Sequence, residues 1–494
     1  MKERMIHCVL AALLGLALVV LLLWLGAAAP ARAGSDVHCV NQTGVGCDAI
    51  CGGGCYASVQ DAVNAASGGH EIRIAGGTYT SALGTVAVIT KPLVMVGGFT
   101  PGLDGHDPGA YQTVLDAQWG GSVISITNAG DVLIEFLTLT HGDGTGNCGA
   151  WEGCGGGVYV KDTVIHIGHC VITDNVGSGT QSAFGGGIYV GNMSSSAPAE
   201  IWENQIVNNT ASTAGVGWGG GLFLQAGTPG NRAVVTGNTF EGNVASTSAS
   251  SDGQGGGMFL MQYAILSNNL FRQNYGGRGV ASGYGGGLYM WEVTAADLEA
   301  NRFLDNVASE GGSYGVGGAI HCSAGVVFTM SNNLLAGNHA STAGDGLWLN
   351  TFAGRYVVAT LVNNTLADNT AGTGSEGIWM GSYVSLTLTN NLIAGHTVGI
   401  TNTVPASSTV VANTNLFWNT TDPITGSNAI LEDPLLTADY HLGEGSPAID
   451  AGLAIPWLTT DLEGASRPQG SGYDIGAYEG TRRAIYLPLV VRNH

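Results

Sequence analysis

Charged side chains occupy only 10% of the 494 positions, and beyond Lys2 the only lysines are Lys91 and Lys161. With 15 basic against 36 acidic residues, a formal net charge of −21, the chain has no phosphate-neutralising surface, which excludes nucleic acid as a partner. Proline is scarce at 13 residues, and the glycine follows no collagen-like period of three. After the N-terminal apolar run no second stretch of about 20 apolar residues occurs. The body therefore holds no integral membrane domain. Scarce charge does not mean disorder, because a 45% hydrophobic share supplies a large core and leaves Asn, Ser, Thr and Gly to cover the surface. No cofactor motif is present, and none is expected to be needed.

Residues 1–33 read as an export signal. Lys2 and Arg4 precede an apolar run from Met5 to Ala29, and Ala31-Arg32-Ala33 forms an A-x-A-like cleavage site that makes Gly34 the first mature residue. Left uncleaved, the run is long enough to tether the chain to a membrane. Export places the protein outside the cell or on its surface, where disulfides persist. Cys8 leaves with the signal. Of the eight cysteines that remain, Cys39, Cys47, Cys51, Cys55, Cys148 and Cys154 are expected to form three disulfides, with their pairing open. Zinc is the rival reading for the first four, but spacings of eight, four and four fit no common finger, so no metal site is expected.

What the chain has in excess is glycine, 81 residues, and much of it sits in a repeat. A glycine run precedes triplets such as Val158-Tyr159-Val160, whose central residues continue as Tyr189, Phe223, Phe259, Tyr289, His321, Trp348 and Trp379. They recur at intervals of 30, 34, 36, 30, 32, 27 and 31 residues. Between triplets runs a second signature, Asn204-Ile206-Asn209, repeated through Asn238-Phe240-Asn243, Asn269-Phe271-Asn274, Asn301-Phe303-Asn306 and Asn333-Leu335-Asn338 to Asn364-Leu366-Asn369. Cys170 stands in the first Asn position of the opening repeat, and Ile393-His396 and Leu416-Asn419 close the series.

A beat of about thirty residues fits one coil of three short strands, and stacked coils form an all-β, single-stranded, right-handed parallel β-helix over 58–427. Propeller blades need more residues, and neither a nine-residue calcium-roll repeat nor a leucine-rich pattern is present. Coils ~4.8 Å apart place like side chains above like, so the asparagines are expected to hydrogen-bond along the bends as a structural ladder. Cys170 and Cys322, five coils and hence ~24 Å apart, become separate buried thiols. Ser58 to Ala66 reads as a short capped helix with Val59, Ala62, Val63 and Ala66 on one face, a lid for the first coil. The Cys-rich residues 34–57 precede it, and strands Glu71 to Ile74, Leu93 to Val96, Ser122 to Thr127 and Val132 to Thr140 begin the stack.

Ser58 to Tyr79, SVQDAVNAASGGHEIRIAGGTY, resembles the opening of pectin-lyase-like β-helix proteins. The GGG and Asn motifs resemble the repeats of polymorphic outer-membrane proteins. Residues Asp433 to Glu479, with DPLLTADYHLGEGSPAIDAG, DLEGASRP and YDIGAYE, resemble the choice-of-anchor Q domain, which implies a C-terminal unit over 428–480 before the tail 481–494. The apolar Ile485 to Val491 in that tail carries no LPxTG-type sorting motif.

Strand alternation turns the outer two residues of each triplet inward and the central one outward, which predicts an external aromatic stripe ~34 Å long over eight coils. Flat rings stack on sugar rings, so a polysaccharide or cell-surface glycan is the expected ligand, with Tyr159, Tyr189, Phe223, Phe259, Tyr289, His321, Trp348 and Trp379 as its contacts. The bland alternative has the rings stack on one another or lie beneath inserted loops such as Ala245 to Gln254. An enzyme is the second class: the pectin-lyase-like resemblance implies polysaccharide lyases and hydrolases. Its candidates are scattered. Asp174, Asp305 and Asp368 share one bend position several coils apart, Arg272, Arg278 and Arg302 form a loose basic group, and His166 and His169 lie near Asp174. Asp450, Asp461, Asp474 and Glu479 would hold a metal only by converging, and their neighbours suggest hydrogen-bonded turns. A spacer or adhesin, needing only the stack, is the third reading.

Overall fold

The computed structural model describes residues 36–47, 50–192, 198–279, 282–293, 295–312, 314–368, 375–421 and 424–480. The signal, Asn369 and the tail from 481 onward lie outside them. The chain winds as a right-handed parallel β-solenoid of about 10 turns, with little helix. One coil shows why. Gly155 turns at φ 59° and releases Val158–Lys161 onto a first face, where Val158 and Val160 enter the core. Val164–Gly168 forms a second face, His169 bends at φ 54°, Val171–Thr173 forms a third, and Asp174 bends at φ 56°. Asp305 and Asp368 take the same left-handed turn, so the recurrent aspartates are bend residues.

Asparagine ladders fasten the coils at both bends, as expected. Asn238 Oδ1 accepts from the backbone N–H (3.0 Å) and the side-chain amide (2.9 Å) of Asn204 one coil earlier, while Asn204 Nδ2 also donates to Ile167 O at 2.9 Å. The pattern passes on through Asn269, Asn301, Asn333, Asn364 and Asn391 to Asn415. A buried bend is thus satisfied without water. Inside, like stacks on like: Phe240, Phe271 and Phe303 lie 4.6 and 4.7 Å apart with nearly parallel rings. Each such ring withdrawn from water contributes roughly 1.5–3 kcal/mol.

The coils depart from the expectation of three strands. After the second Asn the chain leaves the triangle along strands such as Val176–Ser178 and returns along Ser182–Phe184. These strands build an arm of two further sheets, five outgoing and six returning. The Ser/Gly-rich segment Ala245 to Gln254 is part of it, with strands Val244–Ser246 and Gly253–Gln254, and is not simply an inserted loop. The arm's sheets pack backbone against backbone: a Cβ on Gly253 would collide with the carbonyl of Gly276, and one on Gly283 with that of Ala308.

The stack also begins earlier than expected, because Val37–Val40 from the Cys-rich segment pairs with both Cys55–Tyr56 and Glu71–Ile74. Disulfides Cys39–Cys51 and Cys47–Cys55 pin that first rung, and Cys148–Cys154 closes a small loop at the start of the arm. Val59–Ala65 is helical, with the Ser58 hydroxyl accepting from Asp61 N and Val59, Ala62 and Val63 buried in the main core. Cys170 and Cys322 are free and buried.

Residues 428–480 run as turns along the third face. Asn332, Asn363 and Asn390 donate to the carbonyls of Thr460, Asp474 and Leu453 at 2.7, 2.7 and 2.8 Å. The doubled asparagines of the later repeats therefore do two jobs: one holds the coil and its neighbour holds this segment. Asp461, Asp474 and Glu479 gather around the buried guanidinium of Arg467, which donates to Glu479 and, at 2.8 Å, to Gly476 O. Asp450 Oδ1 accepts from Gly472 N at 2.9 Å. The convergence weighed from sequence as a metal site is built around Arg467.

Candidate functional site

The first face carries the predicted column. Tyr159, Tyr189, Phe223, Phe259, Tyr289, His321, Trp348 and Trp379 stand in one strand register. Their ring centroids are 4.2–5.4 Å apart, with planes within 20° of parallel. They point away from the core, as alternation requires, but they are not an exposed stripe. Six of the eight are no more than 9% exposed, and only Tyr189 and Trp379 are half-buried. Stacking at the coil spacing uses both faces of every interior ring, and the arm folds over their edges. The ladder stops at its two ends, where Tyr159 is registered against Ser125 and Trp379 against Thr401.

The arm also makes the surface concave. Its returning sheet presents Phe184 and Trp218, stacked 4.4 Å apart, and Phe184 meets the ladder edge-on at Phe223, 5.0 Å away. Farther along, Tyr284 meets His321 edge-on at 5.5 Å. At the Tyr159 end this corner widens to a concavity of about 550 Å³, floored by Tyr159, Phe184, Tyr189 and Phe223 and edged by Asn147, Glu152, Lys161, Asp162 and Gln225. Gly191 makes room for the floor, since a Cβ there would strike the Tyr189 hydroxyl. Burial pushes that hydroxyl up to about 12, and burial with the nearby Asp162 carboxylate raises that of Tyr159, so both stay neutral hydrogen-bonding groups. The arrangement offers apolar ring edges below and polar groups around the rim, the pattern of a small-molecule or saccharide site.

A different chemistry appears where the repeat breaks. Asp345 and Glu376 replace the middle glycine of the run in successive coils, at GDG and SEG, just where the arm ends. Burial raises the Asp345 carboxyl to about 7, opposed by hydrogen bonds from Ala340 N and the Ser375 side chain, and burial also raises Glu376. Glu376 Oε2 accepts from Gly344 N at 3.1 Å, and His339 lies 3.7 Å from Asp345. Asp345 is 1% exposed, so as built it reaches no substrate. Composition gave no hint of this pair; the departure from GGG was the available signal.

The other enzyme candidates are dispersed. Arg272, Arg278 and Arg302 pair separately with Glu241, Glu310 and Glu463. His166 lies between Asp131 (3.3 Å) and Glu200 (3.0 Å), and His169 stacks on Phe136 and pairs with Glu203 at 3.3 Å. Glu200, by its hydrogen bond and charge, raises the His166 imidazole against the opposing pull of burial. Neither histidine joins Asp174.

The sequence matches no known family profile, and no characterised protein matches it closely. Solved structures share its outline only distantly. Pectate lyase Pel9A aligns at a TM-score of 0.43 with 11% identity, covering 91% of this chain and 98% of its own. The complex of XylC with xylose aligns at 0.44 with 9% identity over 89% and 98%. The alginate lyase AlyGC, of family PL6, aligns at 0.38 with 14% identity over 85% of this chain and 58% of its own. At these values the likeness assigns no activity.

Proposed function

We propose that this protein is an exported or surface-associated β-helix that holds a polysaccharide in the corner between its first face and its arm, without cleaving it. The observation that carries the reading is the 550 Å³ concavity, with its aromatic floor and polar rim, at the end of the ladder. Three disulfides support an oxidising, extracytoplasmic setting. The ladder residues named from sequence enter this reading as the floor and its foundation. Contact with sugar falls to Tyr189 and Trp379, the two half-buried rings; the buried rings, Tyr159 among them, give the wall its rigidity.

The alternative, a polysaccharide lyase or hydrolase of the pectin-lyase-like type, rests on Asp345 and Glu376. A hydrolase needs two carboxyl groups that reach the scissile bond, and Asp345 does not. The spacer or adhesin reading needs the stack but not the concavity.

A glycan array probed with the mature chain and with Tyr189→Ala tests the proposal. Loss of about tenfold or more in affinity, with coil stacking intact by circular dichroism, supports it. Unchanged binding removes the groove from the argument. Release of unsaturated or reducing ends, abolished by Asp345→Asn, would establish the enzyme instead.

A further inference from the structure

We infer that the groove selects a neutral polysaccharide over a polyuronate, and that Trp151 supplies an outer stacking platform for it; this rests on the saccharide-binding reading above. Among the described residues Lys161 is the sole cation lining the concavity, and it is outnumbered there by the carboxylates of Glu152 and Asp162. Farther along the face, the residues two positions beyond each ladder ring from Phe223 to Trp379 are Gln225, Met261, Trp291, Ser323, Asn350 and Gly381, none of them charged. Arginines that could meet a uronate are committed elsewhere, Arg272 to Glu241 on the third face and Arg278 to Glu310 on the outgoing sheet of the arm. A polymer with one carboxylate per sugar would enter against a net negative lining on a chain of formal charge −21. Neutral hydroxyls would instead find acceptors in those same carboxylates and in the amides of Asn147 and Gln225.

Trp151 belongs to the loop that edges this opening. It lies between Gly149 and Glu152, both of which line the concavity, and it is 85% exposed. The Cys148–Cys154 disulfide closes its loop to a sequence separation of 6. A large apolar ring held in water by a short cross-linked loop contributes nothing to the core, and a pinned loop loses little entropy when a ligand stacks on it.

Affinity electrophoresis of the mature chain with intact disulfides tests both parts. The neutral arm uses β-glucan, galactomannan and arabinoxylan; the acidic arm uses polygalacturonate and alginate, each with and without calcium. We expect retardation by at least one neutral polymer, and polyuronate binding weaker by about tenfold or more. Trp151→Ala should weaken neutral binding by about tenfold at unchanged melting temperature. Polyuronate binding equal to or tighter than neutral binding would overturn the charge argument and leave the groove standing. Unchanged neutral binding by Trp151→Ala would overturn the platform. Failure to bind any polymer would overturn the saccharide reading itself.

Discussion

His321 is the one basic ring in a ladder of phenyl, phenol and indole groups, and replacing it with phenylalanine should change how the fold responds to acid. It is sandwiched between Tyr289 at 4.5 Å and Trp348 at 4.2 Å, and burial pushes its imidazole down to about 3. In the unfolded chain the same group titrates near 6.5. Between those values the unfolded state holds more protons, so stability falls as the pH drops through that window and is fully present above it. From about pH 8 to about pH 5 the loss amounts to about 2 kcal/mol, which His321→Phe removes. Asp345 and Asp474, raised by burial to about 7 and about 6, pull the opposite way, because their folded forms keep protons that the unfolded chain releases as pH rises. Both are common to the two proteins and cancel in the difference. Calorimetric melting temperatures of wild type and variant across this range should diverge by about 2 °C toward acid, given ~2.1 cal/mol/K of unfolding entropy per residue in a chain this long. Parallel profiles would refute the reasoning, since they would mean that the stack accepts the imidazolium.

Two further substitutions probe the scaffold. Asn274→Ala removes four hydrogen bonds, to Phe240 O and Asn306 Oδ1 and from the N–H and side chain of Asn243, for a local cost of about 4 kcal/mol; hydrogen exchange should accelerate in the flanking coils, and unchanged protection would deny the ladder its structural role. Gly253→Ala forces a methyl group into the Gly276 carbonyl, so limited proteolysis should open the arm while the three-faced body stays protected; an intact arm would contradict its backbone-to-backbone packing.

The body was legible because its signals repeat. A beat near thirty residues, apolar triplets and paired asparagines specify coils, bends and ladders, each of which the structure holds in register. The arm was not legible, for a physical reason: strands such as Gly217–Trp218 and Gly253–Gln254 pack backbone on backbone, so they need no apolar alternation and leave only glycine as a trace. The same blindness explains the stripe. Alternation reports whether a side chain points into or out of the core, and it was right that Phe223 and Phe259 point out. It cannot report a second layer that closes over them. Arg467 escaped for another reason, since its carboxylate partners converge through turns 428–480 that carry no period at all.

In a register-stacked solenoid the residues that most clearly define the repeat are also the ones most fully used by it. Each interior ring of the ladder spends both faces on its neighbours, and each ladder asparagine spends its amide on the next coil. Chemistry is therefore left to positions where the repeat fails. Ser125 ends the ladder below Tyr159, Thr401 ends it above Trp379, Asp345 and Glu376 interrupt the glycine column, and the disulfide loop lifts Trp151 into solvent. The groove lies at the first of these breaks, edged by the loop that carries Trp151. A ligand that bound instead to the regular middle of the ladder, at Phe259 and Tyr289, would have to pry stacked rings apart, against ~0.5–1.5 kcal/mol of aromatic pairing at each contact beyond the area re-exposed.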